Sequence, residues 1–131
     1  MNYIKRNDKK IIVDGTAINT TFYKFLKHLC IAHFKSIDAL KISAKSELNI
    51  KSLPPLYISK EILLICFGSL HSKDIIAVNY LSIEDVVYSE FQTIILFKDK
   101  TSLTTFISPF RMESMFKKAK LVLDYVAKNN I

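Results

Sequence analysis

Six consecutive apolar residues, Ile62 to Phe67, stand between a polar Ser-Lys-Glu step and Gly68. A run this short and unbroken fits a strand buried on both faces, because an amphipathic helix would interrupt it with polar positions every turn. Ahead of it, Pro54 and Pro55 fix φ and remove two backbone donors, so no helical pattern can pass through them and the chain leaves the loop "NIKS" extended. Leu56 to Ile58 then predicts a short strand, "SKE" a tight turn, and the pair a hairpin entering the core. Beyond the polar loop "SLHSKD", "IIAVNY" returns as a third strand. "TIILFKD" and "SLTTFIS" form an antiparallel hairpin around "DKT". "SIEDVVYSEF" fits either a strand with a bulge or one turn of helix.

The spacing changes to that of helices on either side of this meander. From Thr20 to Leu48 the pattern predicts one long helix or two joined ones, capped by Thr20 or Thr21. Phe22, Phe25, Leu26, Leu29, Cys30, Ile37, Leu40, Ala44 and Leu48 fall on one side, and Lys24, Lys27, His28, Lys35, Lys41 and Lys45 on the other. His33 points with the apolar side. A last helix starts at Ser108, with Pro109 in its first turn, where a missing amide donor is harmless. Met112, Met115, Phe116, Ala119, Val122, Leu123 and Val126 share its inner face. Near the N-terminus "KIIVDG" reads as a short strand ending on Gly15, and flexible ends are expected at the first few residues and at "KNNI". The elements predict one α+β domain over residues 1–131. A mainly antiparallel sheet of five to six strands follows an N-terminal basic amphipathic helix and is covered by a C-terminal packing helix.

Composition supports one globular domain: 131 residues, 50% hydrophobic and 24% charged. The longest apolar runs fall far short of the roughly 20 residues that span a bilayer, and the N-terminal apolar stretch is broken at Asp14, so a cytoplasmic protein without a membrane segment is expected. Cys30 and Cys66 lie within hydrophobic patterns, which points to buried reduced thiols.

Charge changes the picture more. Residues 1–60 carry eleven lysines and arginines against four carboxylates, whereas the remaining residues carry eight of each. The net charge of +7 therefore belongs to the N-terminal half, and an anionic partner such as nucleic acid is the first candidate, with solubility as the bland alternative. Lys24, Lys27, Lys35, Lys41 and Lys45 are the candidate phosphate contacts, and Arg6 with its neighbouring lysines a candidate arm reaching into a groove. Only Arg6 and Arg111 are arginines, so bidentate base contacts are scarce.

The residues for chemistry are missing. Two glycines cannot build a dinucleotide fingerprint or a phosphate-cradling loop. His28, Cys30 and His33 project to different sides of a helix and do not converge on a metal. Asp38, Glu47, Glu84, Asp85 and Glu90 are scattered without an acid or base partner, and His71 beside Ser69 and Ser72 reads as a loop histidine. A binding protein without cofactor or metal is expected, not an enzyme.

Several short motifs recur in a familiar order. They are Leu29-Cys30, Pro55-Leu56-Tyr57-Ile58, the strand from Ile62 to Ser69, Val78-Asn79-Tyr80, Thr93 to Asp99, and a helix opened by Ser108. From about residue 20 to the C-terminus this order resembles the ComK family of bacterial competence transcription factors and their shorter relatives. The resemblance implies a DNA-binding transcriptional regulator of the activator type that recognises AT-rich sites through the minor groove and works as a homo-oligomer. The chain departs from the family where a Gly-Arg pair would follow the first helix, where Phe-Pro-Thr is Phe67-Gly68-Ser69, and where a tryptophan is Ala77. Two alternatives stand beside it: a degenerate relative that acts through a regulatory protein partner, and a pleckstrin-homology-like interaction module made of a strand meander closed by a C-terminal helix.

Overall fold

The computed structural model describes residues 1–129; Asn130 and Ile131, the end of the "KNNI" segment, lie outside the described residues. The chain runs β1 (Tyr3–Asn7), β2 (Lys10–Val13), β3 (Thr16–Ile18), α1 (Phe22–Ala32), α2 (Ile37–Leu48), β4 (Leu56–Ser59), β5 (Ile62–Phe67) and β6 (Ile76–Asn79). A turn of 3-10 helix (Tyr80–Ser82) leads to β7 (Ile83–Tyr88), β8 (Thr93–Phe97), β9 (Ser102–Thr105) and α3 (Pro109–Lys128). Six strands form one sheet in the order β3-β2-β1-β6-β5-β4 and three form another, β7-β8-β9, with every pairing antiparallel. No helix among the described residues is long and apolar enough to cross a membrane.

The α+β class and the C-terminal packing helix are as expected, but nine strands divide into two antiparallel sheets, of six and three, in place of the single sheet of five to six. The beginning of the chain differs as well. The first residues are neither an arm nor a loose end: β1 lies inside the sheet, paired with both β2 and β6. Asp14 and Gly15, at φ of 50° and 88°, make the two-residue turn with both residues left-handed that matches strand twist, and the chain continues into β3. The Asp14 carboxylate accepts the amides of Asn2 (2.7 Å) and Tyr3 (2.9 Å). The buried Asn2 side chain donates to Asp99 (2.8 Å) and Thr101 (3.1 Å) in the β8–β9 turn, which fastens the N-terminus to the second sheet.

Of the two patterns expected over Thr20 to Leu48, one long helix or two joined ones, the chain forms two short helices, and they interrupt the sheet, so no basic helix stands ahead of it. They part at Phe34, which takes a left-handed φ of 58° that a bulky side chain rarely adopts, and Ser36 caps α2 by accepting from Ala39. The helices serve different layers. α1 buries Phe22, Leu26 and Cys30 against Ile4, Leu64, Cys66 and Ala77 on one face of the large sheet. The opposite face, with Leu63, Ile65, Phe67 and Val78, packs on the small sheet and on Met112, Met115, Ala119 and Val122 of α3. α2 sends Ile37 to the first core and Ala44 to the second, and packs on β4 and α3, so it closes the edge of the sheet. Pro54 and Pro55 are buried where the chain turns from α2 into β4.

Gly68, at φ 103°, ends β5 where an added Cβ would lie 2.8 Å from the Ser72 hydroxyl. Asn79 ends β6 and satisfies its whole side chain on backbone groups. Its amide donates to the carbonyls of Met1 (2.8 Å) and Glu61 (2.9 Å), and its oxygen accepts from the amides of Leu63 (3.0 Å) and Leu81 (3.2 Å). Asn79→Ala orphans all four, and because buried unpaired groups are expensive it is expected to cost about 3 kcal/mol in urea unfolding. A loss below about 0.5 kcal/mol, the scale of an ordinary surface change, would show that water replaces these bonds.

Candidate nucleic-acid interface

The candidate lysines divide into groups. Lys24 and Lys27 are exposed on the outer side of α1, whose cap is Thr21, accepting from the Lys24 amide at 3.2 Å. Lys41 and Lys45 are exposed one turn apart on α2. Lys35 is on neither helix: it sits half-buried in the connection, lining a cleft of about 240 Å³ with Leu40, Glu47, Tyr57 and Tyr125. The structure thus brings the lysines together in pairs, on helices of different layers. Among the described residues the one ion pair is Lys100 with Glu84, at 3.2 Å, so neither pair is held in an ion pair.

Arg6 is fixed in β1, where its guanidinium donates to the carbonyls of Asp8 (3.2 Å), His71 (3.1 Å) and Ser72 (3.2 Å). It is therefore joined to the "SLHSKD" loop. The same loop meets α1 through the rings of His71 and Tyr23, whose centroids are 5.5 Å apart.

One basic feature escaped the sequence pattern. A groove of about 750 Å³ is lined by Lys5, Arg6, Lys73 and Arg111, with Phe106 at its rim. These residues come from four separate segments, so no local spacing could have announced it. Burial alternates from Leu103 to Ile107 and sets the exposed Phe106 between inward-facing Thr105 and Ile107, a pattern that the residue types of "TTFISPF" do not announce.

The titratable groups with displaced pKa values sit in structural contacts. Tyr88 donates to Glu113 at 2.6 Å, and partial burial, that hydrogen bond and the Glu113 charge push its phenol up to about 12. Hydrogen bonds from Thr101 and then Asn2 hold Asp99 below its usual range. His28 is exposed, Cys30 is buried, and His33 bonds the Leu29 carbonyl at 3.0 Å, so the three do not share a face. Among the described residues no three His, Cys, Asp or Glu side chains gather as a metal site. Comparison with family models, with curated proteins and with solved structures finds no match for this chain.

Both cysteines are free and buried. Burial first, and the neighbouring Cys30 second, push the Cys66 thiol from its ordinary 9.0 to about 12. A thiol that stays protonated when folded but ionises when unfolded stabilises the fold fully below pH 9, and the contribution is lost as pH rises toward 12. Wild type is therefore expected to lose more stability than Cys66→Ala between about pH 8 and about pH 10.5, read from urea midpoints. Equal losses would contradict burial of a neutral thiol.

Proposed function

We propose that this chain is a DNA-binding transcriptional regulator whose basic element is the helix pair α1 and α2. The observation that carries the reading is the exposure of Lys24, Lys27, Lys41 and Lys45 without a carboxylate partner among the described residues, in the half of the chain that holds all of the net charge. Uncompensated lysines on a helix surface attract a phosphate backbone and contact it without reading sequence. Preference for AT-rich sites through the minor groove, assembly as a homo-oligomer, and action in the cytoplasm on promoters of the competence type extend the resemblance to the ComK family.

A second reading, a protein-interaction module, draws on different residues of the same helices. Ile31, Phe34 and Ile42 are 55%, 98% and 67% exposed. A pleckstrin-homology-like module would take its strand meander from β4 to β9 and its closing helix from α3. On this reading α1 and α2 hold a regulatory protein partner by apolar contact.

Alanine at Lys24 and Lys27, at Lys41 and Lys45, and at all four positions separates the two. Affinity for AT-rich and GC-rich duplexes should fall in parallel, and the slope of log affinity against log salt should flatten by about 0.9 for each contact removed. Melting should not change, because the side chains are exposed. A quadruple variant with unchanged affinity and slope removes these helices from a DNA interface.

A further inference from the structure

The chain has two arginines, and both line one groove. Its walls are Lys5 to Asn7 at the end of β1, Phe67 and Gly68 at the end of β5, Ser72 to Ile75 in the loop before β6, Thr104 to Ile107 at the end of β9, and Arg111 in α3. Lys5, Arg6, Lys73 and Arg111 face one carboxylate, Asp74, and none of these five is in the one ion pair among the described residues. Arg6 gives its Nε and Nη1 donors to backbone carbonyls and braces the wall. Lys5, Lys73 and Arg111 supply the free charge. Arg111 is steadied with its guanidinium carbon 5.9 Å from the centroid of the Phe67 ring, a cation–π contact that leaves its outer edge open.

One phenyl ring stands beside these cations: Phe106, on the rim, is 84% exposed. Phe110, the chain neighbour of Arg111 in the first turn of α3, lies outside the groove lining and is 83% exposed. The backbone that carries Phe106 is anchored: Thr105 and Ile107 on either side are buried, and the Ile107 carbonyl accepts from the Thr93 hydroxyl at 2.6 Å. Ser108 caps α3 directly after it, with its side chain accepting from Arg111. The rings are thus presented outward from a fixed frame, a costly arrangement unless a flat apolar surface covers them.

An anionic polymer with open apolar faces fits both halves of this site. An acidic peptide would satisfy the cations and leave the rings bare. A duplex keeps its bases stacked inside. We propose that the groove binds a single-stranded nucleic acid, with phosphates on Lys5, Lys73 and Arg111, one base stacked on Phe106 at the rim and the strand running on over the exposed Phe110 beyond it. None of Lys24, Lys27, Lys41 or Lys45 lines it, so it stands apart from the duplex reading and does not require it.

Fluorescence anisotropy of labelled oligo(dT) and oligo(U), each of about 12 nucleotides, with the full chain at about 50 mM salt tests this. Wild type should bind at least one of them, and the comparison decides between DNA and RNA as the source. Phe106→Ala with Phe110→Ala should weaken binding at least about tenfold without changing the salt slope, because each stacked base contributes about 1–3 kcal/mol. Phe106→Tyr with Phe110→Tyr, which keeps the rings, should restore it. Lys73→Ala with Arg111→Ala should flatten the slope by about 0.7 per contact, the single-strand value. Three results overturn the proposal: no binding of either oligomer, full affinity in the folded double-alanine variant, or competition by poly-glutamate as effective as by unlabelled oligomer. Wild type that binds duplex but neither oligomer refutes this site alone. Loss of duplex binding in the lysine variants leaves it standing.

Discussion

Burial of β5 on both faces is the constraint on which the rest of the molecule depends. Leu63, Ile65 and Phe67 enter one core and Leu64 and Cys66 the other, so the strand needs a layer above and a layer below. α1 supplies the first; the small sheet and α3 supply the second. Each fully buried aliphatic side chain contributes about 1.5–3 kcal/mol, but this does not say which way a given residue must face. With both faces apolar, a one-residue slip exchanges one set of hydrophobic side chains for another, and alternation cannot choose the register. Directional contacts do. Asn79 accepts from the Leu63 amide and donates to the Glu61 carbonyl at one end of β5, while at the other Gly68 takes a backbone conformation open to few residues. Pro54 and Pro55 deliver β4 extended to its edge position beside this fixed strand.

The same layering decides where charge is displayed. Because α1 covers a face of the sheet and α2 its edge, their lysines project from two surfaces of the molecule. A partner that used both pairs would have to follow the molecule around the β4 edge, which a curved or bent duplex can do more readily than a straight one. The groove between β1 and α3 has another origin. It forms where the ends of the two sheets meet, so Lys5 and Arg6 rest on a strand and Arg111 on a helix, while Lys73 is carried by the loop that Arg6 braces.

Much of the meander was legible because its strands are bounded by strong punctuation: Pro54-Pro55, Gly68, and Ser108-Pro109 mark real boundaries of β4, β5 and α3. Of the N-terminal strands β2 was legible in "KIIVDG", but β1 was not, for an electrostatic reason. In β1 one apolar residue, Ile4, is fully buried, and Lys5 and Arg6 hide the alternation by lying half-buried along the strand. The Asp14-Gly15 turn was visible, but "TAI" after it is short and half exposed and carries little pattern of its own. The helix break at Phe34 has neither glycine nor proline to mark it. The lysines could be assigned to exposed faces from spacing alone, except Lys35, which the break takes off the helix. Arg6 could not be placed, because its partners in the "SLHSKD" loop lie more than sixty positions away in the chain.

The central claim is that the uncompensated charge of the N-terminal half meets DNA. Electrophoretic mobility shift of the wild-type chain on an AT-rich and a GC-rich duplex, at about 50 mM and about 200 mM salt, addresses it most directly. The account predicts a shift of both duplexes at the lower salt, stronger on the AT-rich one, and a steep loss of both at the higher. Failure to shift either duplex at low salt, or binding indifferent to salt, would contradict it.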